Sequence, residues 1–354
     1  MTIAERRANE GRCAGAVRRP APGRSLLGVV GALAASGLLA AGGVAKTDAA
    51  RVAPTTPRPG LAVPPPAAPA VPPLAAPTVP PLARPAGVGP ARVVLVTGST
   101  GGLGREVAHR LASEGAHVIV HGRNERRGAS LVAEIEAEGA GSARFYPADL
   151  GSLEEVRRLA EAVRRDYDRL DVLVNNAGIW LDGPDRQLSA DGHELHFQVN
   201  YLSAFLLTRE LLPLIVASAP ARVVNVSSVA QRAIDFDDVM LTRGYDDGRA
   251  YAQSKLAQVM FALDLAHELR GRDVTVVALH PATMMNTDMV LERGARPRSS
   301  VEEGVEAVMQ AITSADVESG TYYRGLVPAR ANEQAYDEGA RTRLRQLSER
   351  LTGA

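Results

Sequence analysis

From residue 91 onward, short apolar segments alternate with amphipathic ones, and this alternation limits the fold more than any other feature of the sequence. Val93–Val96 is apolar at every position, and Leu103, Val107 and Leu111 then recur at helical spacing. A strand that is apolar on both faces indicates a buried strand of a parallel sheet. Repeated strand–helix units therefore predict the α/β class, with a single doubly wound domain over residues 91–354.

The predicted elements follow one another closely along this part of the chain. We predict strands over residues 93–96, 118–120, 143–146, 171–174, 223–226 and 274–279. We predict helices over residues 103–114, 131–138, 153–167, 194–216, 250–269, 301–312 and 335–351. About 260 residues lie within the range of one such domain.

The first 90 residues have a different composition, rich in Ala, Pro and Gly, and we expect a disordered low-complexity extension. Proline has no backbone donor and a fixed φ, so residues 53–90 are predicted to be an extended linker. The uncharged run 26–45 follows several arginines, a pattern that favours a membrane anchor or an export signal. The alternative is that this run is only part of the disordered extension.

The charge and cysteine content exclude several classes of function. Lys and Arg together number 40, as do Asp and Glu, so nothing indicates a basic surface for nucleic acid. Cys13 is the only cysteine, which excludes an intrachain disulfide and a cysteine-based metal site. The acidic segment 233–248 lacks histidine and regular ligand spacing, so we expect a solvated loop and no metal.

A glycine-rich turn joins the first predicted strand to the first predicted helix. Such a turn lets the backbone approach a pyrophosphate, and the helix N-terminus adds free N–H groups and a favourable dipole. This position predicts a Rossmann-type dinucleotide site rather than a merely flexible turn. The expected cofactor contacts in this turn are Gly98, Thr100, Gly102, Leu103 and Gly104.

The residues after the second strand indicate which dinucleotide binds. An acidic residue at this position accepts from the ribose 2′-hydroxyl of NAD. Here the chain has Arg123 and Asn124 instead, and a guanidinium can bind a 2′-phosphate. We therefore expect NADP(H) in preference to NAD(H). The alternative is that Arg123 is an ordinary surface arginine.

Tyr251 and Lys255 lie four residues apart at the start of a predicted helix, on one of its faces. A phenol titrates near pH 10, and a nearby ammonium group stabilises the phenolate and lowers that pKa. The pair can therefore act as a general acid–base unit. By itself, this spacing means little, and coincidence is the better explanation.

Five motifs in one order resemble the short-chain dehydrogenase/reductase family. They comprise the Thr-Gly-x-x-x-Gly-x-Gly turn, an Asn-Asn-Ala-Gly segment, an Asn in the next long helix, a strand-end Ser and Tyr-x-x-x-Lys. The insertion at 233–248 is similar to that of the retinol dehydrogenase and protochlorophyllide reductase branch. The motif residues are Thr97, Gly98, Gly102, Gly104, Asn175, Asn176, Ala177, Gly178, Asn200, Ser228, Tyr251 and Lys255.

The resemblance implies a role for each of four catalytic residues. Tyr251 exchanges a proton with the substrate oxygen, and Lys255 lowers the pKa of Tyr251 and holds the nicotinamide ribose. Ser228 hydrogen-bonds the substrate oxygen, and Asn200 holds a water that links Lys255 to solvent. The remaining cofactor contacts implied are Asp149, Leu150, Asn176, Ala177, Gly178 and Pro281.

Several of these residues have a structural alternative. Asn200 could serve packing, Ser228 could cap a strand end, and Asp149 could cap the following helix. His280 is expected to be structural. The chain also departs from many relatives by having Ala282 after Pro281 where they have glycine, which fits if φ at Ala282 is negative.

The resulting hypothesis is an NADP(H)-dependent oxidoreductase that interconverts an alcohol and a carbonyl on a hydrophobic small molecule. We expect substrate contacts from Ile179, Trp180, the insertion 233–248 and residues 283–297, whose methionines suit a movable lid. The alternatives are a silent NADP(H)-binding sensor or scaffold, and an isomerase or dehydratase. The cofactor favours a cytoplasmic location, and the resemblance implies a homo-oligomer.

Overall fold

The computed structural model describes residues 91–354, and one eight-stranded sheet runs through this part of the chain. Its order is β3-β2-β1-β4-β5-β6-β7-β8, and every neighbouring pair is parallel except β7 with β8. The strands are β1 Val93–Val96, β2 His117–Gly122, β3 Ser142–Pro147, β4 Val172–Asn175, β5 Ala221–Val226, β6 Val274–His280, β7 Thr321–Arg324 and β8 Val327–Ala329.

Helices connect the strands and cover the sheet. They are α1 Gly102–Ser113, α2 Glu125–Glu138, α3 Leu153–Asp166, α4 Ser203–Ala217, α5 Asp247–Glu268, α6 Asp288–Leu291, α7 Val301–Thr313 and α8 Glu338–Thr352. A π-helical turn, Phe197–Leu202, leads into α4, and a 3₁₀ turn, Glu333–Tyr336, precedes α8.

Alternate residues of the central strands pack into two separate hydrophobic cores. Val94 and Val96 belong to the core beneath α1, α2 and α7, whereas Leu95 faces the core beneath α3, α4, α5 and α8. Successive strand residues point to opposite faces, so strands covered on both sides must be apolar throughout. This requirement explains the uninterrupted Val and Leu runs in the sequence.

The strand order reverses between β1 and β4, which places the candidate site. The connections from β1 lead outward through β2 and β3, and the chain then returns to the other side of β1 as β4. At such a reversal the following loops separate and leave a crevice at the carboxyl ends of the strands. The glycine turn after β1 opens into this crevice.

The doubly wound fold is confirmed, although several predicted elements differ from the observed ones. The sheet is not wholly parallel, because β7 and the antiparallel edge strand β8 extend it. These strands have only four and three residues, which is too short for a periodic hydrophobic pattern, and Val327 of β8 is exposed. The helix predicted over 194–216 is a π-helical turn followed by α4.

Two predictions concern the part of the chain before residue 91. The possible membrane anchor or export signal at 26–45 and the extended linker at 53–90 both lie outside the described residues. Within residues 91–354, one helical stretch, Phe197–Ala217, is long and apolar enough to cross a membrane, but 61% of its most apolar 18-residue window is buried in the domain. A core helix of a soluble domain passes the same test, so this stretch alone is weak evidence for a membrane span.

Candidate active site

The turn after β1 is shaped by glycines that leave no room for side chains. Gly98 and Gly102 have φ values of +65° and +52°, which favour glycine. A Cβ on Gly104 would lie 2.5 Å from the Gly98 carbonyl oxygen and 2.3 Å from Asn176 Nδ2. Gly101 caps α1 without any side-chain hydrogen bond, so the first N–H groups of this helix remain available for an anion.

Thr97 and Asn176 join this turn to the loop after β4. The Thr97 hydroxyl accepts from the backbone N–H groups of Asn176 and Ala177, both at 3.0 Å. In return, Asn176 Nδ2 donates to the Thr97 carbonyl at 2.8 Å. Two loops on either side of the crevice are therefore held in one fixed arrangement.

His121, at the end of β2, is a contact of the turn that sequence reasoning missed. Its Nδ1 accepts from the Gly98 N–H at 3.1 Å, and the ring is almost completely buried. Burial lowers the pKa of His121 to about 4, so the ring is neutral and can accept at neutral pH. A histidine in a strand is common in proteins, and only the fold brings this one to Gly98.

The residues after β2 lie at the rim of the crevice. The Arg123 side chain is 71% exposed, and its nearest carboxylate oxygen, on Asp149, is 4.0 Å away. Asn124 accepts from the backbone N–H of Arg127 and caps α2, which is a structural role. Arg127, which sequence reasoning did not select, has Nη1 within 3.4 Å of where a Cβ on Gly101 would lie.

Asp149 and Leu150 follow β3 and line the same crevice. Asp149 Oδ1 accepts from the backbone N–H of Gly151 at 2.9 Å. The N-cap of α3 is Ser152, so the alternative that Asp149 caps this helix is wrong. Leu150 is buried and offers an apolar surface next to that carboxylate.

Asn200 lies in the π-helical turn and holds the segment after Gly178. Its Oδ1 accepts from the Ile179 N–H at 2.7 Å, and its Nδ2 donates to the Ile179 carbonyl at 3.1 Å and to Ser254 Oγ at 2.9 Å. A π-helical turn widens the helix at one point, and such turns are frequent at functional sites. Asn200 thus connects the β4 loop with α5.

The two serines that follow β5 point in different directions. Ser227 Oγ donates to the Lys255 carbonyl at 2.6 Å and so fixes α5 to the end of β5. The Ser228 hydroxyl adjoins the phenol of Tyr251 and acts to lower the pKa of that phenol. It also accepts from the Ala230 N–H at 3.1 Å, which orients it.

Lys255 is buried, and its ammonium group does not face the Tyr251 hydroxyl directly. Its Nζ donates to the Val226 carbonyl at 3.1 Å and to Gln258 Oε1 at 2.9 Å, and it lies 5.8 Å from the centre of the Tyr251 ring. Burial lowers the pKa of Lys255 to about 7. Within residues 91–354 it is the only lysine, and the other basic side chains of this part are arginines and histidines.

The pKa of Tyr251 is raised, which differs from the expectation for a phenol beside an ammonium group. Burial is the largest cause, and Ser228 and the charge of Arg293 act in the opposite direction. The Lys255 ammonium group donates to Val226 and Gln258 and not to the phenol, so it does not offset the effect of burial on Tyr251. Sequence spacing could not reveal this, because it carries no information on burial.

The loop after β6 closes the far end of the crevice. His280 bonds Thr283 Oγ1 through Nε2 at 2.9 Å, and burial lowers its pKa to about 4. Pro281 and Ala282 line the crevice. Among the described non-glycine residues, positive φ occurs at Leu241, Asp273 and Met284, so Ala282 does not need glycine's freedom.

The crevice has a volume of about 950 Å³, and its lining includes the apolar side chains of Ile179, Trp180 and Leu188. We expected the insertion 233–248 to contact the substrate, but none of its residues lines the crevice. Two of its side chains, Ile234 and Leu241, are instead buried in the domain. Residues 187–190, which sequence reasoning missed, line the crevice instead. Met284 and Met289 face the crevice, whereas Met285 also packs against Gly304 of α7.

The described residues fit a bound dinucleotide. The uncapped start of α1 suits a pyrophosphate. A Cβ on Gly178 would lie only 3.2 Å from Lys255 Nζ and 3.3 Å from Asn200 Oδ1, so the loop backbone approaches both polar groups closely. The structure brings all predicted cofactor and catalytic residues to this one crevice, except that Asn124 serves α2 and Asn200 lies just behind the lining.

Comparison with known proteins agrees with this geometry. The family model described as short chain dehydrogenase matches residues 92–297. The chain is 41% identical to human retinol dehydrogenase 12 over 55% of its own length and 62% of that protein, which is less than two thirds. It is 37% identical to human retinol dehydrogenase 13 over 75% of its own length and 85% of that protein.

Comparison with a solved structure supports the same fold. The NADP active-site complex of RhlG from Pseudomonas aeruginosa aligns with a TM-score of 0.55 and 30% sequence identity. The alignment covers 66% of this chain and 94% of the other. This similarity shows that the two chains share the fold.

Proposed function

Because the chain belongs to the short-chain dehydrogenase/reductase family of oxidoreductases, in a branch similar to the retinol dehydrogenases, we propose that it interconverts an alcohol and a carbonyl with NADP(H) and with Tyr251 as general acid–base. The observation that carries the proposal is the meeting of Tyr251, Ser228 and Lys255 at one crevice, next to the glycine turn. These residues come from α5 and the end of β5, and only a shared site explains why they converge.

In the proposed reduction, the chain binds, orients and supplies a proton. The nicotinamide supplies the hydride when it is bound. Ser228 donates a hydrogen bond to the carbonyl oxygen, and the Tyr251 hydroxyl gives its proton to that oxygen as negative charge develops on it. The raised pKa of Tyr251 keeps the phenol protonated at neutral pH, which suits a proton donor.

Lys255 has two roles in this proposal. Lys255 and Gly178 both line the crevice, where the ammonium group can hold a ribose hydroxyl. With a pKa lowered to about 7, it can also exchange a proton at neutral pH, which an arginine cannot do. Asn200, bonded to Ile179 and Ser254, keeps the Gly178 loop in place.

The preference for NADP(H) rests on the cations at the rim. Arg123 lines the crevice, and no acidic residue stands directly after β2. Arg127 lies near Gly101 and forms an ion pair with Asp288 at 3.1 Å. A 2′-phosphate can pair with such guanidinium groups, whereas a 2′-hydroxyl gains little from them. The RhlG structure that aligns with this chain contains NADP.

The proposed substrate is a hydrophobic alcohol or carbonyl. Ile179, Trp180, Leu188, Met284 and Met289 line the substrate end of the crevice. Flexible thioethers and aliphatic groups suit an irregular apolar molecule. A cytoplasmic location and a homo-oligomer remain predictions from the cofactor and from the family resemblance.

The test is NADPH oxidation by the full chain with a panel of apolar aldehydes and ketones, including retinoid-like carbonyls. We expect turnover with wild type, and for Tyr251→Phe a loss of kcat of about 100- to 10,000-fold because the proton donor is removed. Fluorescence titration should show that the variant still binds NADPH. Equal turnover by Tyr251→Phe and wild type would refute the proposed role of the phenol.

A further inference from the structure

Arg293, in the loop between α6 and α7, joins the two sides of the substrate end of the crevice. Its Nη1 donates to the Leu181 carbonyl at 3.0 Å and lies 3.5 Å from the Trp180 carbonyl, and its Nη2 forms an ion pair with Asp182. Its side chain is only 18% exposed. One guanidinium group thus connects the loop after β6 to the segment after β4.

The same guanidinium group stacks on the Trp180 ring. Arg293 Cζ lies 3.8 Å from the ring centre, and the ring of Tyr251 stacks on Trp180 with centroids 5.0 Å apart and an interplanar angle of 22°. Two planar groups at these distances are too large to share one face of an indole. Trp180 therefore lies between Arg293 and the proposed proton donor.

The inner side of this segment is fixed by buried polar groups. Asn200 binds both backbone groups of Ile179, and His196 Nε2 accepts from the Leu181 N–H at 3.0 Å. His196 Nδ1 in turn donates to Glu194 Oε1 at 2.9 Å, and both side chains are fully buried. The segment is held from inside by the π-helical region and from outside by Arg293.

We propose that Arg293 is a positioning residue that clamps Trp180 against the ring of Tyr251, and thereby fixes the phenol and closes the crevice over it. The clamp needs a planar group that can stack and also donate in several directions, which arginine provides and lysine does not. The kinetic part of this inference rests on the proposed function, whereas the contact between Arg293 and Trp180 does not.

The chain allows a direct test, because Trp180 is its only tryptophan. Intrinsic fluorescence and acrylamide quenching of the full chain therefore report on this one ring, without turnover or cofactor. We expect Arg293→Met to shift the emission to longer wavelength and to increase quenching, as the indole loses its cover. Arg293→Lys should restore little of either signal, and Arg296→Met, an exposed arginine in the same loop, should change neither.

Kinetics then separate positioning from a purely structural role. With a small apolar aldehyde, Arg293→Met should lower kcat about tenfold and leave KM nearly unchanged, because a misplaced proton donor slows the chemical step. Thermal unfolding serves as the folding control. If Arg293→Met does not fold, Asp182→Asn, which removes only the ion pair, should give the same fluorescence shift to a smaller degree.

The outcomes are distinct. Unchanged fluorescence in Arg293→Met, or an equal change in Arg296→Met, overturns the clamp. Changed fluorescence with an unchanged kcat overturns the positioning role. If wild type itself shows no turnover, the proposed function fails, while the fluorescence comparison still decides whether the clamp exists.

Discussion

The cofactor turn and the catalytic end of the crevice differ in the groups that form them. The cofactor turn after β1 is made of backbone and glycine, and a single Cβ on Gly104 would meet atoms at 2.3 and 2.5 Å. The catalytic end around Tyr251 is made of buried polar side chains such as Asn200 and Lys255, each with specific partners. The first end is sensitive to any added atom, and the second to any lost partner.

The two ends also differ in how they affect the stability of the folded state. Backbone that approaches a ligand closely costs conformational entropy but leaves no charge buried. At the catalytic end, burial lowers the pKa of Lys255 to about 7 and raises that of Tyr251, so the folded state carries groups whose charged forms are disfavoured. We infer that the catalytic end reduces the stability of the domain through its buried ionisable groups, whereas the turn reduces it only through the conformational entropy of its glycines.

Adding one methyl group to the turn should have the largest effect on binding. Gly104→Ala forces Gly98 and Asn176 to move, and overpacking of this kind costs about 1–3 kcal/mol. If this free energy is lost from NADPH binding, the affinity falls by up to roughly a hundredfold. We expect the Kd for NADPH, measured by fluorescence titration, to rise accordingly. Gly248→Ala is the matched control, since its Cβ would meet only Asp246 Oδ1 at 3.6 Å. Equal affinity in both variants would contradict the description of the turn.

Removing the buried ammonium group of Lys255 should instead stabilise the protein. Between pH 7 and about 10.5 the folded state binds fewer protons at Lys255 than the unfolded state, so wild-type stability rises with pH in this window. Lys255→Met lacks this titration and should exceed wild type most at or below pH 7. At about 1.4 kcal/mol per pKa unit, the difference should shrink by roughly 2 kcal/mol between pH 7 and pH 9.

Denaturant unfolding at several pH values measures this effect. Lys46→Met, which removes the chain's only other lysine, is the control and should follow wild type at every pH. A difference that does not vary with pH would show that Lys255 is not buried with a lowered pKa. Activity should be lost in Lys255→Met alone.

Replacing Arg123 at the exposed rim of the crevice should have the smallest effect of the three changes. Arg123→Asp places a carboxylate where we expect the 2′-phosphate, but the side chain is 71% exposed and solvent screens its charge. We expect the preference for NADPH over NADH, measured as a ratio of kcat/KM, to fall about tenfold. Arg126→Asp, at an exposed position in the first turn of α2, should leave the ratio unchanged. An unaltered ratio in Arg123→Asp would remove this residue from the cofactor assignment.

The parts of the site that sequence predicted are those coded by contiguous residues. The turn from Gly98 to Gly104 and the pair Tyr251 and Lys255 are visible as short motifs with a stated mechanism. Contacts between distant segments were missed, such as His121 with Gly98 and Arg293 with Trp180. The insertion 233–248 was wrongly expected in the substrate site, because an insertion's length does not indicate where it packs.

The sequence by itself determined the doubly wound order of strands and helices, because the hydrophobic pattern of each element follows from its own neighbours in the chain. It also determined the glycine turn, where the backbone conformation depends on the local residues. The tertiary structure alone decided the protonation of Tyr251 and Lys255, the stack of Trp180 between Arg293 and Tyr251, and the π-helical turn that carries Asn200. These properties depend on burial and on contacts across more than 20 residues, which no local pattern encodes.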